Sequence, residues 1–94
     1  MAEATDVTFT LVQEYGGKAE ALVTATASSD ETITLANATN SGVPESANVT
    51  TVLQADGQVT PTGAALQFSY ADNVLTLETG SITDDTVVIR VLYE

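Results

Sequence analysis

The feature that most limits the fold of this chain is a strict two-residue alternation near its C-terminus, in the segment Thr86–Tyr93. In an extended strand, successive side chains point to opposite faces. One face receives β-branched and aromatic side chains, namely Val87, Ile89, Val91 and Tyr93. The other face receives Val88, Arg90 and Leu92. Because both faces are mostly apolar, we expect this strand to lie in the centre of a sheet, or to be covered on its second face by a partner.

Similar alternation, interrupted by turn residues, predicts further strands upstream. The predicted strands are Asp6–Glu14, Lys18–Ala27, Glu31–Ala36, Val49–Ala55, Leu66–Tyr70 and Val74–Thr79. The strongest turn signals between them are Tyr15-Gly16-Gly17, Ser28-Ser29-Asp30, Asp56-Gly57, Thr60-Pro61-Thr62-Gly63 and Asp72-Asn73. A helix competes in the segment Lys18–Ala27, where Thr24 and Thr26 favour the strand. The segment Asn37–Asn48 is predicted to be a surface loop.

These patterns predict one all-β domain covering residues 1–94. Threonine occurs 16 times and valine 11 times, and both residues prefer strands. We expect a small antiparallel β-sandwich, or a partly open barrel, of about six to eight short strands. The polar segment Met1-Ala2-Glu3-Ala4-Thr5-Asp6 is predicted to be a flexible N-terminal arm that orders on a neighbouring protein. It lacks the basic and then apolar order of a signal peptide.

The charge of the chain limits its partners. The net charge is −11, and Lys18 and Arg90 are its two basic residues. Binding to nucleic acid or anionic lipid depends on clustered basic side chains, so we expect neither kind of partner. The acidic residues serve solubility in the simplest interpretation, and the alternatives are a halophilic or marine setting and an electropositive docking surface.

The residue types also argue against catalysis. Histidine and cysteine are absent, which removes the commonest general base, nucleophiles and metal ligands. The acidic residues are scattered among turns and form no convergent pair, so we predict no enzyme, no cofactor and no metal. One alternative is a calcium ion held by turn residues, because hard cations prefer carboxylate and amide oxygens. Its candidate ligands are Asp72, Asn73, Asp84 and Asp85.

A few side chains are candidates for contact with a partner. Arg90 lies in the middle of the closing strand, where it pairs with a cross-strand acid or forms an ion pair across a subunit interface. Tyr15 and Tyr93 stand at strand ends, where an amphipathic ring can be half exposed and contribute to a contact patch, and ordinary packing at the edge of the fold is the alternative. Phe9, Phe68 and Tyr70 are expected in or near the core. The predicted contact residues are Met1, Ala2, Glu3, Ala4, Thr5, Asp6, Tyr15, Arg90 and Tyr93.

The C-terminal half resembles small all-β virion proteins of tailed bacteriophages. The likeness rests on four stretches of this sequence and covers Val49 to Glu94. They are Val52-Leu53-Gln54-Ala55-Asp56-Gly57, Phe68-Ser69-Tyr70, Val74-Leu75-Thr76-Leu77, and Gly80-Ser81-Ile82-Thr83-Asp84-Asp85-Thr86-Val87-Val88-Ile89-Arg90-Val91. Their order is similar to a recurrent pattern in such proteins, in which hairpin strands are followed by a turn-Asp-Thr sequence and an apolar closing strand.

This resemblance implies a capsid decoration, or cement, protein that stabilises the capsid lattice. Its partners would be the major capsid protein or other virion proteins, together with further copies of itself. Its location would be the virion, after synthesis in the host cytoplasm. The alternatives are a phage tail, neck or fibre component, and an adhesin or carbohydrate-binding β-module.

Overall fold

The computed structural model describes residues 3–35, 39–40, 51–60, 62–78 and 82–94. Within these ranges the chain forms β-strands and short connections. The strands are β1 (Thr5–Tyr15), β2 (Lys18–Ala27), β3 (Thr32–Thr34), β4 (Thr39–Asn40), β5 (Val52–Thr60), β6 (Ala64–Ala65), β7 (Phe68–Ala71), β8 (Val74–Leu77) and β9 (Asp85–Tyr93). No helix in the described part of the chain is long and apolar enough to cross a bilayer.

The strands form two sheets. One has six strands in the order β4-β1-β2-β9-β5-β6, and the other has three in the order β3-β8-β7. Pairing is antiparallel, except that β4 lies parallel to β1 over two residue pairs. The predicted all-β sandwich is thereby confirmed. The closing strand β9 lies between β2 and β5, as its two apolar faces predicted.

A common core lies between the two sheets, and its residues follow the alternation in the sequence. In β2 and β9 every second side chain is buried, which places Ala21, Val23, Ala25 and Ala27 beside Val87, Ile89, Val91 and Tyr93. The small sheet contributes Ile33, Leu75 and Leu77 to the same cluster. The ring of Phe9 meets that of Tyr93 edge-on, with centroids 5.5 Å apart. Burial of these apolar groups is the main stabilising term of the fold.

The Gly-Gly turn appears where the sequence predicts it. Gly16 and Gly17 connect β1 to β2, and both have positive φ, at 34° and 95°. Residues with a Cβ adopt this region only at a steric cost, so the pair suits a tight hairpin. The hairpin closes with Tyr15 opposite Lys18.

The Asp56-Gly57 turn prediction is wrong. Strand β5 runs through both residues, and they pair with Arg90 and Ile89 of β9. Gly57 instead provides a close approach between strands, because a Cβ built on it would lie 2.8 Å from Cγ1 of Ile89 and 3.0 Å from the Val88 carbonyl oxygen. A glycine inside a strand commonly marks such an approach. Tertiary pairing therefore overrides the local turn signal.

Gly57→Ala is expected to destabilise the protein because the added methyl group must displace Ile89 or the backbone beside it. Overpacking of this kind costs about 1–3 kcal/mol in the free energy of unfolding. The matched control is Gln58→Ala, at the next and exposed position of the same strand, which should change stability by less than about 0.5 kcal/mol. Urea unfolding of the two variants measures the difference. Equal midpoints would show that the Gly57 position has room for a side chain.

Candidate functional site

The candidate site is the face of the six-stranded sheet that points away from the core, which we call the outer face. It is built from the side chains that alternate with the buried ones on four neighbouring strands. These are Thr8 and Thr10 of β1, Glu20, Leu22, Thr24 and Thr26 of β2, Thr86, Val88, Arg90 and Leu92 of β9, and Gln54, Asp56, Gln58 and Thr60 of β5. No described strand packs on this face.

The strand register arranges the outer face in rows that cross β2, β9 and β5. One row is Leu22–Arg90–Asp56, and the neighbouring rows are Thr24–Val88–Gln58 and Glu20–Leu92–Gln54. Leu22, Val88 and Leu92 are half-buried and occupy adjacent rows, so they form a short apolar stripe framed by polar groups. Apolar side chains bordered by polar groups are one mark of an interaction surface.

The charges of the outer face gather around Arg90. Its Nε lies 3.6 Å from Oε2 of Glu20, and 61% of the Arg90 side chain remains exposed, against 18% for Glu20. Glu20 also accepts a hydrogen bond of 3.1 Å from Nε2 of Gln13. Asp56 is the register partner of Arg90 on the other side. These charged side chains line a depression of about 360 Å³. Its lining residues are Lys18, Glu20, Gln54, Asp56, Arg90 and Leu92. Both basic residues of the chain therefore lie in one place.

Irregular pairing occurs on both sides of this cluster. The register of β1 with β2 shifts between Leu11 and Gln13, and that of β5 with β9 shifts between Val52 and Gln54. The extra residues, Val12 and Leu53, are exposed apolar side chains. Bulges of this kind reorient side chains and are frequent beside functional surfaces.

The predicted contact residues are not brought together as expected. Arg90 lies at the centre of the outer face. Tyr93 lies on the opposite face of β9 and is 6% exposed, so its prediction as a half-exposed contact residue is wrong. The reason is its phase, which it shares with the buried Val87, Ile89 and Val91. Tyr15 ends β1 beside the hairpin turn, whereas Met1 and Ala2 lie outside the described residues.

From Glu3 onward, the N-terminal segment is attached to the chain's own fold, which differs from the free arm expected from the sequence. The Ala4 amide donates to the Thr32 carbonyl at 2.8 Å, and Ala4 is buried. The Glu3 carboxylate accepts hydrogen bonds from the Thr32 hydroxyl at 2.8 Å, the Thr34 hydroxyl at 2.7 Å and the Thr34 amide at 3.2 Å. Thr5 and Asp6 begin β1. Glu3 therefore links the start of β1 to β3 of the other sheet.

Glu3 carries a pKa shift with opposing causes. Desolvation by partial burial raises its pKa, but the hydrogen bonds from Thr34 and Thr32 together outweigh this effect and lower the pKa below the ordinary value of 4.5. The hydrogen bonds favour the ionised form. Their contribution to stability is therefore fully present above that ordinary value and is lost as the pH falls through the lowered pKa.

Glu3→Gln should lower the melting temperature at pH 7, because the amide keeps one acceptor oxygen but loses the charge. The gap between wild type and variant should close as the pH falls below the ordinary value of 4.5 and through the lowered pKa, because Glu3 then becomes protonated in the wild type too. Thermal melts at several pH values measure this, with Glu78→Gln, at an exposed acid elsewhere, as the control for loss of one negative charge. A gap that stays constant with pH would contradict the assigned role of the carboxylate.

The acidic turns show local roles for their Asp residues. Asp72 and Asp84 have positive φ, at 53° and 50°, a conformation that Asp tolerates better than most residues. The Asp85 carboxylate accepts a hydrogen bond from the Thr83 amide at 3.2 Å. Within the described residues, no three or more Asp or Glu side chains are placed to hold a metal ion. The calcium alternative therefore has no ligand cluster among these residues.

Comparison with known proteins does not supply a family for this arrangement. No protein-family model, curated protein sequence or solved structure matches the chain at a significant level.

Proposed function

We propose that the protein is a non-enzymatic structural component of a bacteriophage virion, and specifically a capsid decoration protein that stabilises the lattice in many copies. The resemblance of Val49–Glu94 to small virion proteins motivates the choice of assembly. The observation that carries the proposal is the outer face, a broad sheet surface with an apolar stripe that the described residues leave uncovered. Uncovered apolar side chains rimmed by polar groups support an interaction site on this face.

The scaffold suits repeated docking. The outer face is set on the long β2–β9 and β5–β9 ladders, so its side chains are held by backbone pairing. Because these strands are already ordered, their backbone loses little conformational freedom on binding. The net charge of −11 keeps free copies apart before assembly. Modest contacts then accumulate through the number of copies bound side by side.

The test is whether the protein is a stoichiometric part of virions. Mass spectrometry of gradient-purified phage particles, from the host culture that produces them, should find the chain in a fixed ratio to the major capsid protein. Material from the same gradient without particles is the control. Restriction of the chain to the particle-free fractions would contradict the proposal, and a copy number of a few per particle would favour a tail, neck or fibre component.

One observation favours a second candidate, a carbohydrate-binding β-module. Tyr70 on β7 is 39% exposed, although the sequence predicted it in or near the core, and its ring lies 6.3 Å from that of Phe68. Sugar rings stack on exposed aromatic faces of this kind.

If the carbohydrate candidate holds, the wild-type protein binds defined oligosaccharides on a glycan array and Tyr70→Ala loses at least about tenfold in affinity. Val12→Ala, at an exposed apolar position on β1 of the other sheet, should keep wild-type binding. An array without signal for the wild-type protein would remove this candidate.

A further inference from the structure

The outer face carries a cluster of side chains of opposite charge. Lys18 and Arg90, which are all the basic residues of the sequence, line the same depression as Glu20 and Asp56. The two positive and two negative charges of these four side chains cancel, so the depression is locally neutral in a chain of net charge −11. Two copies approaching through any strongly acidic surface repel each other. Because the charges of these four side chains cancel, this repulsion is reduced where two copies approach through the outer face.

The charges are also arranged in a self-complementary order. Glu20, Arg90 and Asp56 lie on the neighbouring strands β2, β9 and β5, so the signs run negative, positive, negative across the sheet. Arg90 and Asp56 are direct register partners. Two copies can stack with their outer faces together, related by a two-fold axis that runs parallel to the strands and lies between β9 and β5. This axis places β9 of each copy over β5 of the other, and each row of one copy over the same row of the other. Arg90 of each copy then faces Asp56 of the other.

We propose that the outer face binds a second copy of this chain, in a two-fold sheet-on-sheet contact that pairs Arg90 of one copy with Asp56 of the other. This inference depends on the proposed function for one point, namely that the outer face is buried in an assembly. The same packing places Val88 over Gln58 and Leu92 over Gln54 of the other copy, since each pair shares a row. Val88 and Leu92 of the apolar stripe then become covered, and the exposed Arg90 guanidinium gains a second carboxylate. An isologous contact of this kind closes at two copies.

The size of the contact sets its strength. With the axis between β9 and β5, the two strands that overlap along their whole length are β9 and β5, because β6, which comes to lie over β2, has two residues. Two strands spaced about 4.8 Å apart, over four rows about 7 Å apart, give a footprint of roughly 270 Å². Stable interfaces bury about 800 Å² on each partner. The dimer is therefore reversible, and its formation is expected at high protein concentration or where copies are crowded side by side.

The test uses charge reversal in the purified full-length protein. Sedimentation equilibrium between about 10 μM and 1 mM should show a monomer–dimer equilibrium for the wild type. Arg90→Glu and Asp56→Lys should each raise the dissociation constant by at least about tenfold, because each places like charges together at both symmetry-related positions. An equimolar mixture of the two variants should restore dimers, since every contact between copies then joins opposite charges.

The mixture separates contacts between copies from contacts within one. Arg90 and Asp56 are also neighbours inside each chain, and mixing the two variants leaves the repulsion within each chain unchanged. Restoration of dimers in the mixture would therefore show that the two residues meet across the interface. The double variant Arg90→Glu/Asp56→Lys should also dimerise like the wild type, and it covers the case in which a single variant fails to fold. Ser69→Asp/Thr83→Glu adds the same two negative units as Arg90→Glu at exposed positions off the outer face and should leave the equilibrium unchanged.

Three results would overturn the proposal: a wild type that stays monomeric throughout, a dimer insensitive to Arg90→Glu, or a mixture that remains monomeric. None of them bears on whether the chain occurs in virions. A monomeric protein found stoichiometrically in particles would assign the outer face to another virion protein.

Discussion

The pairing of β9 with both β2 and β5 is the interaction on which the rest of the structure depends. β9 pairs with β2 from Asp85 to Tyr93, and with β5 from Thr86 to Tyr93. Because the side-chain period of a strand is two, the burial of its odd-numbered residues forces the even-numbered ones outward. The same constraint that builds the core thus places Arg90, Val88 and Leu92 on the outer face. A shift of one residue in the register of β9 would exchange its buried and exposed side chains, and both the core and the outer face would be lost.

Residue size across the core follows from this pairing. On its inner face, β2 contributes the small residues Ala21, Ala25 and Ala27, whereas β9 contributes branched and aromatic ones. Gly57 on β5 lies against Ile89, where the two strands leave no room for a side chain. Large side chains from one strand therefore fill the space left by small ones on its neighbours. This complementarity is the condition for dense packing in a small sandwich.

Charge and connectivity give the molecule its surface character. A chain of net charge −11 is repelled from its own copies over most approaches. The register of β2, β9 and β5 gathers the two basic side chains with two of the acids, and so places a group of balanced charges on a protein of net charge −11. Glu3 has a comparable role at the other sheet, where its hydrogen bonds to Thr32 and Thr34 join the first strand to β3. Both features need residues that are far apart in the sequence.

Local sequence patterns were enough to predict the all-β fold, the two faces of β9 with its central position as one of two alternatives, and the Gly16-Gly17 turn, because alternation and turn chemistry are properties of each segment by itself. Tertiary structure decided the rest. It carried β5 through Asp56-Gly57, attached Glu3 to β3, and exposed Tyr70. It also set Glu20 and Asp56 on either side of Arg90. These outcomes depend on which strands pair and in which register, and that choice is made by the summed burial and hydrogen bonding of distant segments rather than by any local pattern.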